Sequence, residues 1–212
     1  MEDFEPEFDD IPELGGFYKI RNKVKPGDIW SFKGHEFFSR LIRIFTSRNH
    51  VAGSVSGPQG SRRLFWIEAA EGEVNPRLIA CRIMEYHGEV FYHKLKPELD
   101  KYRDTINRNL WLLIGRKYDI KGLLKNIWVL PKVDAAYLYC SETLQFVTLN
   151  GGNVRINGRI KYIAPAIPEE VQKGLRMVGL QQSLMEQVWQ NKTMRPGEYC
   201  MLPIFMSEVK VK

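Results

Sequence analysis

The chain has 212 residues, 44% of them hydrophobic and 12% aromatic, enough to bury a full core without help from disulfides or metal. Its formal net charge of +6 comes from scattered lysines and arginines with small clusters at Arg40, Arg43 and Arg48, at Arg62 and Arg63, and at Lys121 and Lys125. That pattern reads as a solvated surface, and no nucleic-acid partner is expected. No apolar run approaches the roughly 18 residues that a membrane span requires, and MEDFEPEFDD is acidic where a secretory signal is basic and then apolar. The expectation is a chain with no transmembrane segment, cytoplasmic as synthesised. Cys81, Cys140 and Cys200 form no CxxC pair and leave an odd thiol, which fits a reducing compartment and free thiols.

In chain order, residues 1–16 read as an acidic mobile arm ending in Gly15-Gly16, and residues 17–212 as one domain. Pro26-Gly27-Asp28 makes a turn into a strand from Asp28 to Phe32. HEFFSRLIRIF follows with Phe37, Phe38, Leu41, Ile42 and Phe45 at helical spacing. HVAGSV has the small, β-branched character of a buried strand whose glycine permits close approach. RRLFWIEAA, CRIMEY and EVFYHKL extend a β pattern with a turn at EGEV, giving an antiparallel meander. Glu98 to Arg116 reads as a helix with Leu99, Tyr102, Ile106, Leu110 and Leu113 on one face. GRKYD opens a loop and a short apolar helix interrupted at Pro131, and DAAYLYCSETLQFVTLNGG supplies a helix stopped by Gly151-Gly152. Beyond Asn153, VQKGLRMVGLQQSLMEQVWQN reads as one or two helices and RPGEYCMLPIF as a closing strand.

Chemistry concentrates on Cys140. A thiol becomes nucleophilic as the thiolate, favoured at a helix N-terminus or beside an imidazolium, and Cys140 stands at the start of YCSETLQFV with Ser141 and Glu142 as helix-start residues. First-turn N–H groups there suit an oxyanion. Taken alone, a cysteine among tyrosines and leucine is usually a packing residue. Of the four histidines, His50 opens an apolar strand after a polar loop, where a ring can face a cleft. His87 sits in a turn, His93 at a solvent-facing strand end, and His35 in a loop or cap. Glu68 lies among Phe65, Trp66 and Ile67, on the face of Leu64 and Trp66, where a carboxylate needs a partner. There is no HExxH, no phosphate loop and no GxGxxG, so neither a metal nor a cofactor is expected.

The succession PGDIWSF, NHVAGSV, WIEAAEGEV, GRKYD and YCSETL resembles the circularly permuted NlpC/P60 peptidases of the YiiX type, from about Val24 to Val147. The resemblance implies an α+β, papain-like fold with an antiparallel sheet or barrel packed against helices. It implies Cys140 as nucleophile, His50 as base and Glu68 as the polar third member of a triad, as in thiol hydrolases. Tyr118 matches a tyrosine near the substrate cleft and, with Ser141, is the candidate for oxyanion or substrate contact, while Asp28 matches a turn residue. Asn49 departs from the serine usual before the histidine, and nothing after Asn153 matches. The implied activity is hydrolysis of an amide in a peptide or peptidoglycan-like substrate through a thioester. An acyltransferase or lipid hydrolase of the same fold, and an idle binding module, are the alternatives; the corresponding partners are a peptide, a glycopeptide or a lipid-like acyl substrate.

Overall fold

Alternating side chains give the central sheet two apolar faces, and each is covered by helices. The computed structural model describes residues 11–35, 47–57, 63–70, 73–116, 140–156, 159–176, 199–202 and 204–212. Its elements run α1 (Gly15–Ile20), β1 (Ile29–Gly34), β2 (His50–Ser56), β3 (Leu64–Ala70), β4 (Glu73–Leu78), α2 (Ile79–Glu85) and β5 (Gly88–His93). They continue with α3 (Arg103–Trp111), α4 (Cys140–Gln145), β6 (Gly152–Ile156), β7 (Arg159–Ile163), α5 (Glu169–Arg176) and β8 (Val209–Lys210). Six strands form one sheet in the order β4-β3-β2-β1-β5-β8, every pair antiparallel. β6 and β7 make a separate hairpin.

Ile29, Val51, Val55, Ile67 and Val74 point to one face and pack against Ile106 and Leu110 of α3 and Leu144 of α4. Trp30, Phe32, Ala52, Trp66 and Val90 point to the other, against Phe17 and Ile20 of α1 and Ile79 and Ile83 of α2. Gly53 is what lets α4 settle: a Cβ there would stand 2.7 Å from Leu144 Cδ2 and 3.0 Å from Leu110 Cδ1. Asp28 pins the layers together. Fully buried, it accepts hydrogen bonds from Leu95 N at 2.9 Å, Tyr92 Oη at 2.6 Å and Arg103 Nη1 at 2.7 Å, tying β1, β5 and α3. Burying that carboxylate is tolerable because a guanidinium and three further donors, counting Lys25 N at 2.8 Å, surround it.

Several sequence expectations change. The strand read into CRIMEY is the helix α2, because Ile79 and Ile83 sit one helical turn apart and both bury against the sheet. Of the turn read into EGEV, Glu73 and Val74 belong to β4, which pairs antiparallel with β3 from Ala70↔Glu73 onward, and Pro76 is accommodated because β4 is an edge strand. Of the helix from Glu98 to Arg116, Pro97–Tyr102 is a 3₁₀ turn and Arg103–Trp111 is α-helical. No closing strand forms among the described residues of RPGEYCMLPIF beyond a single bridge from Phe205 to Leu95. At the other end Leu14 is buried and Gly16 lies directly against the Val211 carbonyl, so residues 11–16 are part of the packed fold. The helix expected from His35, the segment from Lys117 to Tyr139 with Tyr118, and the helical tail past Arg176 lie outside the described residues.

Candidate active site

His50 opens β2, and Ala52, two residues on, pairs with Glu68 of β3. Glu68 therefore stands diagonal to His50 on the same face, a separation that long side chains bridge. The bridge is made: His50 Nε2 lies 2.9 Å from Glu68 Oε2. The other carboxylate oxygen accepts Arg82 Nε at 3.1 Å, with Arg77 Nε at 3.8 Å. Glu68 is only 2% exposed. Burial works to raise its pKa, but the hydrogen bond and charge of His50, then the charges of Arg82 and Arg77, prevail and hold it below the usual carboxylate range. The glutamate is thus an anion among cations, the partner its apolar strand required.

Cys140 is the first residue of α4, one turn before the Leu144 that seats against Gly53, and is buried. This docking sets the thiol beside the His50 ring. Burial works to lower the imidazole pKa, yet the negative charge of Cys140 and its hydrogen bond, followed by those of Glu68, carry it from 6.5 to about 10. Because Nε2 serves Glu68, Nδ1 is the ring nitrogen left to face the sulfur. The ring is steadied further by Phe32, with centroids 5.2 Å apart. Asn49, the departure from the family pattern, accepts Gly34 N at 2.7 Å through Oδ1 and donates through Nδ2 to Tyr86 Oη at 3.2 Å, fixing the chain just before the histidine.

Ser141, next to Cys140 in α4, is fully buried. His35 and His87 are exposed, as their loop positions imply. His93 corrects the reading of a solvent-facing strand end: it is 3% exposed, with Nε2 2.8 Å from Ser31 Oγ. The covering residues come from Cys200 to Glu208, more than a hundred positions away, so no local pattern announces them. Sequence reasoning also missed Arg77 and Arg82. Reading Ile79 to Glu85 as a helix, on the spacing of Ile79 and Ile83, places Arg82 over the sheet and is the signal that finds it.

Among the described residues no three His, Cys, Asp or Glu side chains are grouped to hold a metal ion. The donor set around Glu68 argues the same way, since its second oxygen is engaged by arginines. All three cysteines are free thiols. Among the described residues no helix is long and apolar enough to cross a membrane.

Sheet order, faces and the position of the Cys140 helix define an α+β protein with a YiiX-like, papain-type fold. Among solved structures the chain is similar to yiiX from Escherichia coli O157:H7, titled a metalloprotein, with a TM-score of 0.56 and 16% identity over 89% of this chain and 97% of that one. No protein-family model matches the chain, and no curated protein matches it in sequence.

Proposed function

We propose that this protein is a cysteine hydrolase in which Cys140 is the nucleophile, His50 the acid–base group and Glu68 the residue that orients and charges the ring. The observation carrying this reading is the arrangement around His50: Glu68 at 2.9 Å on Nε2, and Cys140 beside the ring with the imidazole raised to about 10. An imidazolium that persists at neutral pH beside a thiol is the charge state an activated cysteine needs.

The cycle runs as follows. The Cys140 sulfur attacks the carbonyl carbon of an amide or ester, and the carbonyl electrons move to oxygen. Collapse breaks the bond to the leaving group, which takes the proton from His50, and a thioester remains. Neutral His50 then removes a proton from water, the hydroxide attacks the thioester, and the carboxylic acid leaves and gives its proton to solvent as thiolate and imidazolium return. Tyr118 and Ser141 are proposed to contact the oxyanion or substrate. The resemblance favours peptide or peptidoglycan-like amides. The yiiX structure is that of a metalloprotein, but among the described residues here no His, Cys, Asp and Glu side chains are grouped to hold a cation, and no step passes through one.

Alkylation with iodoacetamide at pH 6, mapped by mass spectrometry, tests the reading. Cys140 is expected to label faster than the exposed Cys81, and His50→Ala to remove that advantage. Equal slow labelling of the two, or a Cys140→Ala protein as active as the parent, overturns it.

A further inference from the structure

The hairpin of β6 and β7 stands apart from the six-stranded sheet, and among the described residues no other strand pairs with it. Its second strand reads Arg159-Ile160-Lys161-Tyr162-Ile163, of which only Ile163 is buried. Ile160 is 68% and Tyr162 67% exposed, more than any other large hydrophobic side chain described except Met201. Strand alternation sets these two in one row of the ribbon, with Arg159 and Lys161 in the other. A single exposed apolar side chain is ordinary on any surface. Two in one row, interleaved with two exposed cations, make a pattern that calls for an occupant.

The charge around them has one sign. From Thr143 to Pro168 the sequence holds Arg155, Arg159 and Lys161 and no aspartate or glutamate. The ribbon is also held firmly at its base. Ala166 N and Ile167 N donate to the Val147 and Thr148 carbonyls at 3.0 and 2.9 Å, and Asn109 Nδ2 donates to Ala164 O at 3.0 Å. These bonds tie the hairpin to α3 and to the helical run that starts at Cys140. A surface that takes the ribbon therefore orients that run as well.

We propose that the β6–β7 ribbon docks this protein on an anionic lipid surface, with Ile160 and Tyr162 entering the headgroup boundary and Arg159 and Lys161 reaching lipid phosphates. The composition selects this occupant. Tyrosine, an apolar ring with a polar tip, settles at the boundary between membrane and water. Arginine and lysine lay their stems along apolar surface and keep their charges at headgroup level. At that shallow depth water and headgroups satisfy the free edge of β7. A nucleic acid or an acidic protein segment would meet the cations, but neither supplies the apolar boundary that Ile160 requires. The inference concerns where the protein sits, and it holds whether or not Cys140 is a nucleophile.

Co-sedimentation of the full chain with vesicles tests it, comparing phosphatidylcholine alone with phosphatidylcholine mixed with phosphatidylserine. The parent is expected to sediment with the mixed vesicles and to stay in solution with phosphatidylcholine alone. Binding is expected to weaken roughly fivefold for each cation removed, or about 25-fold in Arg159→Gln/Lys161→Gln. Ile160→Ser/Tyr162→Ser is expected to weaken it on the order of tenfold or more. Absence of sedimentation with the mixed vesicles overturns the proposal, and so does retention by a single-stranded oligonucleotide or by polyglutamate in its place. Vesicle binding that neither pair of changes moves overturns the assignment to this ribbon, as does binding weakened by the Arg159 and Lys161 changes alone. Circular dichroism melts check that the variants fold, which the exposure of all four side chains favours. Where a pair lowers the melting temperature, the single changes Lys161→Gln and Ile160→Ser are read instead.

Discussion

Replacing Glu68 by glutamine removes one negative charge from the site while keeping the shape of the side chain. The carboxylate sits 2.9 Å from His50 Nε2 and is almost wholly out of water. At an effective dielectric of about 20, unit charges about 4 Å apart interact by about 4 kcal/mol, equivalent to about three pKa units as a ceiling. A neutral amide still bonds to the ring, so a fall of about 1–3 units is expected for His50. The sign follows from the role of the ring. Imidazolium is needed to protonate the leaving group, so activity falls as pH rises through the His50 pKa of about 10. In Glu68→Gln the alkaline limb of kcat/KM moves to lower pH, while Cys140→Ala abolishes the activity at every pH. Arg82 and Arg77 lose their counterion at the same time, but both side chains reach solvent, which screens the loss, and profiles are read well below each variant's melting temperature. An alkaline limb that stays in place would refute the assignment of Glu68 as the charge that sustains His50.

Gly53→Ala forces a methyl group against Leu144 and Leu110. It is expected to cost about 1–3 kcal/mol by overpacking, read as a lower melting temperature, and to slow alkylation of Cys140 by displacing α4. Asp28→Asn removes one of the two anions of Arg103, leaving Asp100 on Nε at 2.7 Å, and urea unfolding is expected to show a loss of at most about 3–5 kcal/mol with no change in the pH profile of activity. His50 binds its proton more tightly folded than unfolded, so its contribution is fully present below pH 6.5 and disappears as pH rises through about 10. The stability advantage of the parent over His50→Gln, from melts between pH 6 and pH 10, should shrink along that interval.

The parts of this molecule legible from sequence are those whose causes are local. Gly53 in HVAGSV marked a close backbone approach, Gly151 with φ +63 stops the helical run after Asn150, and Glu68 stood out as a carboxylate in an apolar strand. The helix α2 was obscured because its seven residues carry Ile, Cys and Met, types that suit a strand as well as a helix. Pro76 hid β4, since a proline argues against a strand until the strand is known to lie at the edge. His93 and Cys200 took on their setting only when residues far apart in the chain closed over Ser31. Tertiary contact, not local pattern, decides such positions.

The seating of Leu144 on Gly53 also orders events in time. His50 and Glu68 sit on neighbouring antiparallel strands joined by a short connection, so their meeting depends on contacts close in sequence, which form early in low-contact-order assembly. Cys140 arrives from the other half of the chain and gains its histidine only when α4 docks. Completion of the fold is thus what brings Cys140 to His50.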